Sequence, residues 1–556
     1  MTEHRALRRA ARALTTSAFA LLLATIPVSA QDAAAQVDEI FAEWNTEMSP
    51  GCAVGVTRYG EPVLERAYGM ADLEHDVPNT PGTIFEGGSV SKQFTSAAVV
   101  LLVLDGVLTL DDDVREWVPE IPDYGSPITL HRLMTHTSGL RDWGSVAEIS
   151  GWGREDRAHD HDDVIDILSR QSALNFEPGH EYSYSNSGYN LLAVVVARAS
   201  GIPFAQFSEE RIFEPLGMTD TQWRDDYRRI VRGRSSAYNR TDDGWEINRP
   251  VEYVHGNGGI LTTVRDLAIW NEALTDGRLG GEEFVRLMHL EGTLNDGTPM
   301  GYAGGLFVGE FAGVRSVTHT GSTAGYRAFL GRYPEQGLSV AMLCNASNVA
   351  TGATGGRIAR AFLGSVAQPD VEPDYAGAAA SFDLRPYQGL YREPVTGEPM
   401  EIAVRDGVVR AGRTPLLPLS QNEFQVGADT GHRYVFERSG GTVSGFGDEG
   451  GLSVARRYDR VAPWAPTATE LRELAGTYRS EDAETTYVVR ADGDALSVWQ
   501  RPNDTHELTP VYRDGFRMRG GMIVRFRRDG AGRVTELSLS LGRVYDMRFA
   551  RVDEAH

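Results

Sequence analysis

The chain has 556 residues, with 77 Asp+Glu against 54 Lys+Arg and a formal charge of −23. At roughly 150 residues per domain this length predicts three or four domains, and fractions of 41% hydrophobic and 24% charged residues exclude a disordered or collagen-like chain. The acidic balance excludes a general nucleic-acid or anionic-membrane binder, because phosphate recognition needs a basic face.

Residues 1–30 read as an export leader. Arg5, Arg8, Arg9 and Arg12 form a basic start, an apolar run follows around Phe19–Ala24, and Val28-Ser29-Ala30 supplies small residues before Gln31; this tripartite order is that of a cleaved signal peptide. The apolar run is too short and interrupted for a bilayer span. The expectation is a secreted or periplasmic protein, cleaved near Ala30.

Next comes a hairpin pattern, Cys52–Val56 and Val63–Ala67 around Arg58-Tyr59-Gly60-Glu61. The next notable residue is Lys92, the single lysine among the 54 basic residues. Arg replaces Lys wherever only positive charge is needed, but not where an amine must lose its proton. Lys92 lies three residues after Ser89, at the start of a run, Ala97–Leu104, that is apolar on every side and stops at Asp105-Gly106. Such a helix is a buried one. Burial penalises an ammonium and lowers its pKa, so the amine can act as the base that a serine nucleophile requires.

His136, in Thr135-His136-Thr137-Ser138-Gly139, reads as closing a turn after a helix. His159-Asp160-His161-Asp162-Asp163 reads as a solvated helix start rather than a metal cluster, with Asp162 and Asp163 suited to capping the run Val164–Ser169. Tyr184-Ser185-Asn186 follows a Pro-Gly turn and precedes the helical run Leu191–Ala199; a phenol can relay protons beside a lysine, and an Asn amide can hold a substrate carbonyl. Val317–Ser322 alternates like a strand and contains His319-Thr320-Gly321, where Gly321 allows close backbone approach. The Ser322 N–H, paired with that of Ser89, could then receive an oxyanion. A second hairpin runs Arg327–Arg332, Pro334–Gly337, Leu338–Cys344, with a helix expected over Arg357–Leu363. The chain has two cysteines, Cys52 and Cys344, both in apolar strand-like runs. Two buried core thiols is the favoured reading; a bridge requires the two strands to be neighbours.

Residues 368–382 are polar and Pro-containing, as linkers are. Beyond them the text is short strands with an internal repeat. Leu384-x-x-Tyr387-x-Gly389-x-Tyr391 matches Leu471-x-x-Leu474-x-Gly476-x-Tyr478, Gly441-x-Val443 matches Gly532-x-Val534, and the halves close on Tyr458-Asp459-Arg460-Val461 and Phe549-Ala550-Arg551-Val552. We expect two similar antiparallel β-barrels, 383–462 and 470–556, joined at 463–469, with closure inferred from the need to remove sheet edges.

The Ser89/Lys92, Tyr184/Asn186 and His319–Gly321 elements, in this order, resemble the serine β-lactamase and penicillin-binding protein superfamily, in particular its class C β-lactamase, D,D-peptidase and D-aminopeptidase branch. Leu133–Leu140, Pro215-Leu216-Gly217-Met218 and Gly258–Leu267 support the resemblance, which covers about 40–367. It implies an α+β fold over 31–367, an antiparallel sheet with flanking helices plus a helical subdomain. It further implies Ser89 as acylated nucleophile, Lys92 and Tyr184 sharing acid–base work, and an oxyanion hole at the Ser89 and Ser322 N–H groups. Asn186, His319, Thr320 and Gly321 would contact substrate. No metal or cofactor is expected. The barrel pair resembles the appended domains of D-aminopeptidases.

One departure bears on substrate. The third motif is commonly Lys-Thr-Gly, and His319 replaces the permanent charge with a group often neutral at pH 7. That weakens carboxylate-bearing substrates and leaves esters, amides and D-amino-acid amides. The expected activity is D-aminopeptidase- or amidase-like action on a small molecule or short peptide; carboxylesterase and then β-lactamase or D,D-carboxypeptidase follow, and a non-enzymatic envelope-binding protein is the rival of another class. No nucleic-acid partner or membrane span is expected, and oligomers through the barrels are open. A loop of the last barrel, Arg501–Glu507, is the candidate to reach the site mouth.

Overall fold

A computed structural model describes residues 30–369, 373–380, 382–427, 429–439, 442–450 and 456–552. The leader up to residue 29 lies outside the described residues, as do parts of the linker (370–372 and 381) and Gly441 of the repeat.

The first domain is built on a six-stranded antiparallel sheet. In chain order its strands are β1 (Cys52–Arg58), β2 (Glu61–Tyr68), β3 (Phe307–Phe311), β4 (Val314–Thr323), β5 (Tyr326–Tyr333) and β6 (Leu338–Cys344), and in space they run β3-β4-β5-β6-β1-β2. Both expected hairpins are present, as β1–β2 and β5–β6. Alternation along β1 shows how the sheet is sandwiched. Cys52, Val54 and Val56 point into one cluster with helices Ala30–Ile40 and Thr351–Leu363, while Ala53 joins the cluster on the opposite face. Gly55 lies on that second face, where an added Cβ would stand 3.2 Å from Val264 Cβ, so the missing side chain lets helix Val264–Asp276 lie close. The helix foreseen at Arg357 begins six residues earlier, at Thr351.

The chain folds β1 directly against β6, with Cys52 opposite Cys344, and the two sulfurs are joined. The free-thiol reading is therefore corrected. Both runs were recognisable as buried strands, but their adjacency is a property of a sheet closed by chain segments 292 residues apart.

The segment between β2 and β3 carries the helices that pack on the second face. Helix Ser91–Leu104 is its axis, with every residue from Ser91 to Leu102 buried. Around His159 the expectation needs revision. Asp160, not Asp162 or Asp163, is the N-cap of helix His161–Ser169, in a capping box with Asp163. His159 is buried against Trp143 rather than solvated. No single described helix is long and apolar enough to cross a membrane.

The linker region contains a short helix, Tyr375–Ala379. After it, eight strands from Gly389 to Val461 close into a barrel filled by Tyr387, Tyr391, Phe424, Phe436 and Phe446. The second unit is the expected second antiparallel barrel, nearly closed rather than closed. It is a nine-stranded sheet whose edge strands, Asp504–Glu507 and Thr509–Tyr512, are not hydrogen-bonded to each other although only Leu508 separates them in the chain. The repeat has a structural reason in both units. Tyr391 donates to the Tyr387 carbonyl at 2.7 Å and Tyr478 to that of Leu474 at 2.8 Å. The Arg of each closing motif covers that tyrosine, Arg460 on Tyr391 and Arg551 on Tyr478. Each guanidinium also ties down the opening turn through carbonyls, those of Pro386 and Gln388 or of Glu473 and Ala475.

The nine-stranded unit is welded to the first domain. Its core residues, from Leu471 to Phe549, belong to the same apolar cluster as Ser91–Leu104 and helix Trp143–Ser150. Tyr487 donates to the Ile149 carbonyl at 2.8 Å, and Arg141 pairs with Asp482 at 2.7 Å.

Candidate active site

Ser89 sits in a single 3-10 turn, Gly88–Val90, that runs into helix Ser91–Leu104. The turn is pinned from below: Gly87 N–H donates to the Ile260 carbonyl at 2.9 Å, and Ile260 N–H donates to Ser91 Oγ at 3.0 Å. It is pressed from the side by β4, which outruns its neighbour β3: pairing ends at Phe307–Thr318, so His319–Thr323 presents an edge to the Ser89 turn. Two glycines permit the approach. Gly88 has φ +51° and its Cβ would stand 2.7 Å from Ser322 N; a Cβ on Gly321 would collide with the Gly87 carbonyl. The Ser89 and Ser322 backbones are thereby brought side by side.

Lys92 is fully buried one turn further on. Its Nζ lies 3.1 Å from Ser89 Oγ, 2.9 Å from Asn186 Oδ1 and 2.8 Å from the Asn257 carbonyl. Burial pushes its pKa well below 10.5, with Arg543 and Arg154 pushing the same way and Asp142 opposing. A neutral amine has two N–H groups and one lone pair. Asn186 Oδ1 and the Asn257 carbonyl can only accept, so they take the two N–H groups and the lone pair is left facing the Ser89 hydroxyl.

Tyr184 and Asn186 flank Ser185, the residue before helix Asn186–Ser200. Asn186 N–H donates to Asp142 Oδ2 at 2.7 Å, which fixes the helix start. The Tyr184 ring lies between His136, at 4.2 Å between centroids, and the Arg543 guanidinium, 4.7 Å from the ring centre. Burial raises its phenol pKa above the usual value, with Ser89 and Arg543 pulling it back.

His319 and His136 form one chain through Tyr302, and the chain fixes their tautomers. Ser185 N–H donates to His136 Nδ1 at 3.2 Å, so Nε2 carries the proton and donates to Tyr302 Oη at 3.2 Å. Tyr302 then donates to His319 Nε2 at 3.0 Å, and His319 Nδ1 donates to the Thr320 carbonyl at 2.6 Å. Both rings are neutral: burial holds His136 well below 6.5 and His319 at about 3. His136 does close the turn after helix Leu130–Met134, with φ +58°, and in addition it backs Tyr184.

These groups line a cavity of about 310 Å³ that includes Ser89, Tyr184, Asn186, His319, Thr320 and Ser322. Lys92 and Gly321 lie beneath its wall. Every site residue expected from sequence is therefore at or against one cavity. Reasoning from sequence missed Asn257, whose backbone carbonyl acts, together with Asp142, Tyr302, Arg154 and Arg543. It also named the wrong loop of the last unit. Residues 500–501 bind Glu148 and Ser150 carbonyls on helix Trp143–Ser150 and line a neighbouring cavity that shares only Arg154 with the site. The hairpin that enters is the turn between strands Val534–Leu541 and Val544–Val552, carrying Arg543.

Comparison with known proteins gives the family. The family model described as Beta-lactamase matches residues 37–365. A D-aminopeptidase of Gluconobacter oxydans is 27% identical over 448 residues, covering 78% of this chain and 80% of that protein. One of Cereibacter sphaeroides is 26% identical over 530 residues, covering 91% and 97%. Among solved structures, an octameric penicillin-binding protein homologue from Pyrococcus abyssi shares the fold with a TM-score of 0.54 at 24% identity, over 77% of this chain and 99% of that one. The D-amino acid amidase of Ochrobactrum anthropi does so with a TM-score of 0.51 at 22% identity, over 60% and 99%. With the match extending over more than half its length, the chain belongs to the beta-lactamase family.

Proposed function

We propose that the protein is a serine hydrolase that cleaves amide or ester bonds through an acyl-enzyme on Ser89. The observation that carries this is the buried Lys92 amine, 3.1 Å from Ser89 Oγ and bonded to two further acceptors, Asn186 Oδ1 and the Asn257 carbonyl. Ser89 Oγ attacks the substrate carbonyl carbon while its proton passes to Lys92 Nζ. The carbonyl oxygen gathers the negative charge between the Ser89 and Ser322 N–H groups. Tyr184, which lines the cavity with Ser89, passes a proton to the departing nitrogen or oxygen as the carbon–leaving-group bond breaks, and its phenol is refilled from Lys92. Water then adds to the ester carbonyl, giving up a proton along the same path, and Ser89 leaves as the hydroxyl. Asn186 orients both Lys92 and the substrate, and Thr320 presents a hydroxyl to the cavity.

The names of the curated relatives support D-aminopeptidase action as the finer reading, with the related D-amino-acid amidase action next, ahead of carboxylesterase and β-lactamase. The Cys52–Cys344 bridge and the leader-like start support an exported protein, since disulfides persist in oxidising compartments. A fluorophosphonate or penicillin probe followed by peptide mass mapping tests the core of the reading. The expected result is one covalent adduct on Ser89, absent from Ser89→Ala. No adduct and no turnover of D-amino-acid amides, short acyl esters or a chromogenic cephalosporin would favour a binding protein with an inactive site.

A further inference from the structure

The cavity over Ser89 has a charge its catalytic residues do not explain. His319 is neutral and both its ring nitrogens are engaged, one with Tyr302 and one with the Thr320 carbonyl. It therefore offers no cation and no free N–H to a ligand. Lys92 is held as a neutral amine beneath the wall. The side chains that line the cavity include two arginines, Arg154 and Arg543, and no carboxylate.

The two arginines are not equivalent. Arg154 is committed: its Nε donates to Glu252 Oε2 at 3.0 Å and its Nη2 to Oε1, and Glu252 is buried. Arg543 is not. Its guanidinium faces Asp142 at 3.8 Å, an ion-pair distance beyond hydrogen-bond reach. Asp142 already accepts from Asn186 N–H and Ser145 N–H. Among the described residues no acceptor takes the Arg543 N–H groups. The group lies over the Tyr184 ring, next to the nucleophile, with 42% of its side chain exposed. What holds it there is its own main chain, whose carbonyl accepts from Asn175 Nδ2 at 2.9 Å and from Asp142 N–H at 3.3 Å.

The geometry points to Arg543, brought in by the C-terminal nine-stranded unit, as the residue that selects substrate: amides or esters with a carboxylate near the scissile carbonyl, and against those with a free ammonium there. The inference rests on the serine-hydrolase reading and, within it, runs against the D-aminopeptidase action that the relatives' names support. A guanidinium with unused donors matches a carboxylate in a two-point, charge-assisted contact. An α-ammonium, which an aminopeptidase must hold, would find two like charges and no carboxylate among the lining side chains.

The test uses three activated esters with one leaving group, p-nitrophenol, and acyl parts of similar size: butanoyl (neutral), succinyl (carboxylate) and β-aminopropionyl (ammonium). Rates are followed as p-nitrophenol release, corrected with Ser89→Ala, in the full-length protein and in Arg543→Gln, Arg543→Lys and Arg543→Glu. The readout is the ratio of kcat/KM between esters within one variant. Any loss of folding or shift in Lys92 basicity is common to all three esters and cancels. The wild type is expected to favour succinyl over butanoyl by at least about tenfold, the scale of one exposed charge-assisted contact, and to disfavour β-aminopropionyl. Added salt should shrink both preferences. Arg543→Gln should bring the succinyl-to-butanoyl ratio near one, Arg543→Lys should keep part of it, and Arg543→Glu should turn the preference toward the ammonium ester. Ser89-dependent turnover with a ratio indifferent to residue 543, or a wild type that prefers the ammonium ester, overturns the inference and leaves the hydrolase standing. No Ser89-dependent turnover and no Ser89 adduct overturns both.

Discussion

Replacing Lys92 by methionine separates the amine from the stem that carries it. In the folded protein burial comes first, then Arg543, in lowering the amine's pKa well below 10.5; in the unfolded chain it titrates near the model value of about 10.4. Between those two pKa values the unfolded state binds the proton and the folded state does not. The lysine therefore costs stability as pH falls below 10.5, by about 1.4 kcal/mol per pH unit until the folded pKa is reached, and costs nothing above 10.5. Methionine has no such dependence. It instead leaves two buried oxygens, Asn186 Oδ1 and the Asn257 carbonyl, without their donor, a pH-independent loss of about 1–3 kcal/mol each. The difference in unfolding free energy, wild type minus Lys92→Met, should accordingly rise with pH below 10.5, with a slope of up to about 1.4 kcal/mol per unit. Urea unfolding followed by tryptophan fluorescence at half-unit steps measures it, in a range where carboxylates and histidines no longer titrate. Parallel curves would mean that Lys92 is an ammonium in the folded enzyme. The lone-pair geometry, and with it the base that activates Ser89, would then be refuted. Turnover of Lys92→Met should fall about 10²–10⁴-fold, the usual weight of a positioned base.

Three further outcomes follow from single contacts. Tyr184→Phe keeps the ring against His136 and Arg543 but removes the hydroxyl on Ser89; kcat should fall about 10²–10⁴-fold with an unfolding midpoint close to that of the wild type, and a near-normal kcat would take Tyr184 out of the proton path. Cys52 and Cys344 are joined, so denatured, unreduced protein should take up no iodoacetamide, and Cys52→Ser/Cys344→Ser should lose about 2–5 kcal/mol of stability; two alkylated thiols before reduction would contradict the bridge. Asp482→Ala strands Arg141, whose side chain is 4% exposed at the domain contact, and should cost about 3–5 kcal/mol in denaturant unfolding; a loss below about 1 kcal/mol would show that solvent reaches that contact.

The catalytic elements were legible because their logic is local. One helical turn puts Lys92 beside Ser89, one short loop joins Tyr184 to Asn186, and strand alternation with a glycine marks Gly321 and Ser322. A lysine in an otherwise all-arginine chain marked the amine that must be neutral. What stayed hidden depends on distant packing. The second acceptor of Lys92 is the Asn257 carbonyl, and a backbone atom carries no residue signature. Cys52 and Cys344 read as strand residues, but a 292-residue separation conceals that the strands touch. The repeat marks two barrels and encodes the tyrosine–arginine fastening of first to last strand in each; full closure, inferred from the need to remove sheet edges, holds in the first, while in the nearly closed second the edges Asp504–Glu507 and Thr509–Tyr512 do not pair. Neither the loop Arg501–Glu507 nor the turn at Arg543 carries a mark in sequence of which one enters the cavity, and docking against helix Trp143–Ser150 decides it.

That docking makes the C-terminal unit part of the chemistry rather than an appendage to it. Asp142 is the junction. Its N–H donates to the Arg543 carbonyl, its Oδ1 caps helix Trp143–Ser150, and its Oδ2 holds the Asn186 backbone, whose side chain in turn takes one N–H of Lys92. Arg543 lies over Tyr184 and adds its charge to the forces that keep Lys92 unprotonated. Lifting the unit away would remove that charge, free one ligand of Asp142 and expose the apolar face shared with Ser91–Leu104. The charge that Arg543 brings toward Lys92 and the Asp142 that holds the Asn186 backbone therefore meet at one hairpin. A neutral His319 in the strand fits this division: with the cation supplied by the other domain, a second charge from β4 beside Lys92 would only repel it.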